Sequence, residues 1–160
     1  MDNLQLQSEL SILLNVCIAT FLTAFIGVER ESAHKPAGIR TNMIVGGAAC
    51  LIVSITVPLV DFIEMYYPSS LIRTDPIRVL EAVVLGVSFI GAGTIIKEPR
   101  GHVIGLTTAA TLLYCCAVGI ATALEQYVLA AGVVFLVIFI NYGLRIVVNR
   151  FFGGDQREKE

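Results

Sequence analysis

An all-α integral membrane bundle of five transmembrane helices is the fold class that this 160-residue sequence predicts, on three observations. Five stretches, Leu10–Val28, Thr41–Val60, Ala82–Ile96, Val103–Leu124 and Gln126–Leu144, contain no Asp, Glu, Lys or Arg. The composition, 56% hydrophobic and 15% charged with a mean hydropathy of +0.79, leaves too little polar surface to cover a soluble globule of this size. The basic residues, finally, fall mainly on alternate connections between the runs.

About 20 apolar residues cross a hydrocarbon core roughly 30 Å thick, because a helix rises about 1.5 Å per residue. The first run meets that length. It is expected to be retained rather than cleaved, since Met1-Asp2-Asn3 offers no basic segment of a signal peptide. Along it Ser11, Asn15, Ala19, Thr23 and Gly27 recur every fourth position and form one ridge of small or polar side chains. The second run is also long enough. The third is short, and extends back to Pro76, because Asp75 is a good N-cap and Pro76 suits the first helical position. The fourth and fifth runs each suffice. Small residues let helix backbones approach in a bilayer, so Gly86, Gly91 and Gly93 on the third span and Gly105, Ala109 and Gly119 on the fourth are expected to line close helix contacts. Residues 1–152 read as one transmembrane domain, and residues 153–160 as a charged tail expected to be disordered.

Basic residues set the expected orientation. The first connection carries Arg30, Lys35 and Arg40, the third Lys97 and Arg100, and the C-terminal end Arg145, Arg150, Arg157 and Lys159. The opposite side carries only Arg73 and Arg78. By the positive-inside rule the N-terminus lies outside and the C-terminus in the cytoplasm. The net charge of -2 carries no message about partners, and nothing points to nucleic acid. Cys17, Cys50, Cys115 and Cys116 lie within spans without C-x-x-C spacing and read as small packing residues. His34 and His102 fall in loops without metal-ligand spacing. No nucleophile with a base, paired catalytic carboxylates or P-loop is legible, so neither an enzyme nor a cofactor is expected.

The connections are more specific. They read Gly27-Val28-Glu29-Arg30-Glu31, then Ala37-Gly38-Ile39-Arg40-Thr41, Asp75-Pro76-Ile77-Arg78, Gly91-Ala92-Gly93-Thr94-Ile95 and Gly105-Leu106-Thr107-Thr108-Ala109-Ala110-Thr111. In this order, from Gly27 to Gly119, the chain resembles the MgtC/SapB family of bacterial membrane proteins. The resemblance implies a five-helix inner-membrane protein with a cytoplasmic C-terminus, here a short form without the soluble domain of some members. It implies a role in adaptation to low magnesium, acid or envelope stress, with virulence in some relatives. Older labels call members magnesium transporters, whereas a regulatory action on other membrane proteins is the better-supported view. The chain departs from the family pattern at Ala82, where many members carry Gln, and at Thr111-Leu112-Leu113, where T-L-W is common.

Two chemistries are open to the cytoplasmic cluster of Glu29, Arg30, Lys35, Gly38, Arg40, Lys97, Thr107 and Thr108. The basic groups can bind an anion beside the start of the fourth helix, or pair with Glu29 and Glu31 and lock the loop. Basic residues that merely set topology and meet lipid heads are the simpler alternative. Arg40→Ala and Glu29→Ala are expected to abolish function and leave abundance intact. On the outer side Asp75, Arg78 and Glu81 form a polar group in which Arg78 and Glu81 are spaced to pair. The expected partners are the bilayer, other inner-membrane proteins and a second copy of the chain. The competing hypothesis is an oligomeric transporter or channel for magnesium or another ion. It is disfavoured because a magnesium ion needs an oxygen shell with a carboxylate or two, and Glu81 is the one acidic residue within a span.

Overall fold

The computed structural model of the chain describes residues 3–66, 75–97 and 102–151. It is all-α apart from one two-residue hairpin. Helix α1 spans Asn3–Ser32, α2 Ile39–Ser54, α3 Thr56–Tyr66, α4 Pro76–Gly93, α5 Leu106–Ala123 and α6 Tyr127–Phe151. Strands β1, Ile96–Lys97, and β2, Val103–Ile104, pair antiparallel between α4 and α5. The expected tail, 153–160, lies outside the described residues.

Among the described residues four helical stretches are long and apolar enough to cross a membrane: Gln5–Ser32, Ile39–Tyr66, Pro76–Gly93 and Leu106–Ala123. The apolar helix Tyr127–Gly143 is shorter. The second stretch is two helices. Pro58 has no N–H to give to the Ser54 carbonyl, and its ring crowds that carbonyl, so the helix interrupts at Ile55 and restarts as α3. Asp75 caps α4 by accepting from the Ile77 N–H at 3.0 Å, with Pro76 in the first turn, as the sequence predicts.

The fourth span begins later than its apolar run. Val103 and Ile104 belong to β2, and Gly105 ends the hairpin at φ +92°, where the Thr94 carbonyl occupies the place a Cβ would need. Gly105 therefore closes the α4–α5 connection and does not line a helix contact. The helix then runs without Gly from Leu106 to Val118.

Helix α5 is the hub, packed on α1, α2, α4 and α6. Leu112, Cys115, Cys116 and Val118 of α5 are fully buried against Ile26, Val45, Ala49, Val83 and Val134. Helices α2 and α5 cross closely, and a Cβ on Gly119 would run into the Gly46 carbonyl and come within 3.0 Å of Ala49. On the α1–α2 side the ridge of Asn15, Ala19, Thr23 and Gly27 is buried. Gly46 lies on Thr23, Gly47 on Thr20, and Gly27 has the Ile39 Cα 2.6 Å from its virtual Cβ. These glycines meet side-chain or backbone atoms that a methyl would displace.

Helix α4 departs from expectation. Its inward residues are Val79, Val83, Val87 and Gly91, one i+4 ridge, with Gly91 3.4 Å from Ala109. Gly86 and Gly93 lie on the flank of that ridge with nothing within 4 Å, so they line no contact with the described residues of the chain. The reason is positional. The α4 contacts are with α5 and, more lightly, α2, so one narrow stripe faces protein and the rest is open. The outer polar group also differs: Arg78 approaches Asp75 at 3.9 Å, with both side chains exposed, and Glu81 is exposed on the same helix. An exposed pair at that distance adds little stability.

Candidate functional site

At the end of the bundle formed by the α1–α2 and α4–α5 connections, the chain buries its charge. Adjacent helical residues diverge by about 100° and do not ordinarily face one another. Glu29 and Arg30 nonetheless form a two-pronged pair, Nε donating to Oε2 at 2.7 Å and Nη2 to Oε1 at 2.9 Å. Burial makes the difference, since only 5% of the Arg30 side chain and 9% of that of Glu29 are exposed. A charge there without a partner would be costly, so the guanidinium folds back onto its neighbour. Asn141 of α6 donates a third hydrogen bond to Glu29 Oε2, at 3.2 Å, tying α6 to the end of α1.

The loop that follows is organised by the backbone. Lys35 N–H bonds the Arg30 carbonyl and His34 N–H the Glu31 carbonyl, with His34 at φ +53°, which is a Schellman close to α1. The chain then turns at Ala37, φ +58°. Gly38 has an ordinary φ of -76° and is the N-cap of α2. A Cβ there would lie 2.7 Å from Glu31 Oε2, so a side chain would push the Glu31 carboxylate aside. That carboxylate accepts the Ile39 N–H at 2.9 Å and so supplies the cap that Gly38 cannot. Glu31→Ala is expected to lower stability by about 1 kcal/mol, the usual worth of a capping side chain. Thermal unfolding in detergent measures it, and an unchanged midpoint would mean water serves the Ile39 N–H equally well.

A second anchor holds the loop from inside. Asn42, fully buried on α2, donates to the carbonyls of Ala37 at 2.6 Å and Gly38 at 2.8 Å. Its Oδ1 accepts from the Cys115 Sγ of α5 at 3.0 Å. At the opposite end Tyr127 Oη donates to Asn15 Oδ1 at 2.7 Å, joining α6 to α1.

Between α1, α5 and α6 lies a cavity of about 350 Å³. Glu29, Arg30, Ala33 and Lys35 wall it on one side, Thr107 of the first turn of α5 on another, and Ile140 and Asn141 of α6 on the third. Of the eight cluster residues named from sequence, the structure thus gathers Glu29, Arg30, Lys35 and Thr107. Gly38 shapes the neighbouring turn. Arg40 is exposed and borders a different groove, between α1 and α2, with Thr20 and Gly47. Lys97 is exposed in β1 and does not line the cavity. Thr108 turns inward, 1% exposed, and its hydroxyl has no hydrogen-bond partner among the described residues. Among those residues no three His, Cys, Asp or Glu side chains converge on a common point.

Sequence reasoning missed Asn42 and Asn141. Asn42 is the one amide of its apolar run and Asn141 the one in the interior of its own, and that was the available signal, because a carboxamide at membrane depth persists where it finds partners.

Long apolar helices packed about buried amides, hydroxyls and one buried ion pair define an α-helical membrane protein. The chain belongs to the MgtC family, whose pattern it matches over residues 16–150. It is 33% identical over 150 residues to Protein SapB of Bacillus subtilis (strain 168), covering 93% of this chain and 63% of that protein. It is 34% identical over 139 residues to Protein MgtC of Salmonella typhimurium (strain LT2), covering 86% of this chain and 54% of that protein. The chain therefore spans less than two thirds of the length of these relatives. No solved structure matches it.

Proposed function

We propose that this chain is an inner-membrane regulator that acts by docking on other membrane proteins. In this reading α2 and α3 form one span and α6 the fifth, with the N-terminus outside and the buried Glu29–Arg30 end in the cytoplasm. The observation that carries it is the use made of charge. Glu29 is satisfied by Arg30 and Asn141, which gives a shaped, internally neutralised end. The span Ile39–Tyr66 adds Asp61 and Glu64 to Glu81 as acidic residues within spans, contrary to the expectation that Glu81 stands alone, and all three are exposed, not buried in the bundle. Among the described residues the other buried polar side chains, Asn15, Thr23, Asn42, Thr108, Thr111 and Thr122, are uncharged. Such groups suit helix association better than passage of a strongly hydrated divalent ion.

Co-purification from native membranes, compared between low and high magnesium, tests the reading. A defined membrane protein is expected to be retained in one condition and reduced in the other. Recovery of the chain alone in both conditions, together with a magnesium flux in sealed liposomes that Glu81→Gln abolishes, overturns it in favour of an oligomeric transporter. Reporter fusions after Asn3 and after Gly153 test the orientation. A C-terminal fusion active only outside the membrane rejects the five-span arrangement.

A further inference from the structure

The cavity beside Glu29 and Arg30 does not end at its polar walls. A second cavity of about 170 Å³ adjoins it and shares Thr107, Ile140 and Asn141. It continues between α5 and α6 past Ala110, Tyr114 and Val137. From Thr107 to Tyr114 the cleft follows α5 for about 10 Å, a large part of one leaflet of a hydrocarbon core roughly 30 Å thick. One end is therefore charged and the other apolar. Because Arg30 is taken up by Glu29, the charge left over among the described lining residues is that of Lys35, an exposed ammonium on the rim. Asn141 and Thr107 add polar groups within the same walls.

We infer that this cleft binds one membrane phospholipid with an anionic head group, the phosphate beside Lys35 and Thr107 and one acyl chain between α5 and α6. Charge complementarity selects the head, since among the described residues of the walls Glu29 and Arg30 neutralise each other and Lys35 adds a positive charge. The narrow part selects the tail. One turn of a helix 10–12 Å across and 5.4 Å long occupies several hundred Å³, more than that part holds, whereas a single hydrocarbon chain is slender enough. An inorganic anion would leave the apolar part without a reason for its shape.

The inference rests on the reading of this end of the bundle as the working end, and the two fail separately. The full chain is purified in detergent, stripped of lipid, and offered phosphatidylglycerol or phosphatidylcholine, with retention followed by native mass spectrometry. One phosphatidylglycerol per chain is expected to be retained about fivefold more strongly than phosphatidylcholine, the factor equivalent to about 1 kcal/mol for one basic residue at a membrane surface. Lys35→Ala removes that preference without shifting the unfolding temperature of the lipid-free protein. Ala110→Phe, which fills the apolar part, weakens retention of both lipids. Arg40→Ala, a cation on another groove, leaves the preference unchanged. A preference that survives Lys35→Ala overturns the assignment, as does its absence in the original chain. Inorganic phosphate that displaces phosphatidylglycerol at millimolar concentration would reassign the site to a free anion and overturn it equally. Loss of lipid preference in Lys35→Ala with partner co-purification intact separates this inference from the regulatory reading.

Discussion

Replacing Gly119 with leucine is expected to remove most folded protein from the membrane, whereas Gly86→Leu and Gly93→Leu leave the amount unchanged. The contrast is steric. At Gly119 even a Cβ collides with the Gly46 carbonyl and closes to 3.0 Å on Cys50 N, so α2 and α5 must separate along their whole contact. Overpacking that side chains can absorb typically costs about 1–3 kcal/mol, and a backbone obstacle cannot be absorbed that way. A separation at the central crossing is thus expected to exceed about 3 kcal/mol, a large share of a total of about 5–15 kcal/mol. At Gly86 and Gly93 there is nothing within 4 Å to displace. Membrane abundance and size-exclusion profiles of the three variants decide the matter. Normal yield of Gly119→Leu would reject the crossing. Poor yield of Gly86→Leu would show that a contact outside the single chain covers that flank.

Glu29→Ala and Arg30→Ala should each cost about 3–5 kcal/mol, because each leaves the opposite charge buried without its partner. Replacing both by apolar residues of similar volume, Glu29→Leu with Arg30→Met, should be less destabilising than either single change. Removing two charges together leaves no charge to desolvate, although Asn141 then keeps an unmatched donor. Equilibrium unfolding in mixed detergent, arranged as a double-mutant cycle, measures the coupling. Single-variant losses below about 1 kcal/mol would place the pair in solvent. This changes what the sequence suggested for Glu29→Ala: the loss of the protein is expected along with any loss of function. Arg40→Ala is a cleaner probe of function, since Arg40 is exposed at the start of α2.

Helix identity, the Asp75 cap and the small-residue ridge of α1 were legible in the residues, because hydropathy, capping and i+4 spacing are properties of a short stretch of chain. The resemblance carried by the blocks from Gly27 to Thr111 was legible for the same reason, and it led to the family. Which flank of α4 faces protein was not. Gly86 and Gly93 spell a packing face as plainly as Val79, Val83 and Val87 spell a core stripe, and the choice depends on where α5 and α2 lie. The role of Gly38 was equally hidden, since the Glu31 carboxylate that crowds it arrives from seven residues upstream.

The sequence by itself determined that this is a helical membrane protein, that α4 starts at the Asp75 cap, and which connection concentrates opposite charges. Those follow from transfer free energies and backbone preferences that each residue carries wherever it is placed. Only the tertiary structure decided that Glu29 and Arg30 satisfy each other with Asn141, that Asn42 holds the loop, and that Lys35 rims a cleft while Arg40 and Lys97 do not. Partners such as Glu29 and Asn141 stand 112 positions apart, and their meeting is fixed by helix crossings that depend on every packed side chain at once.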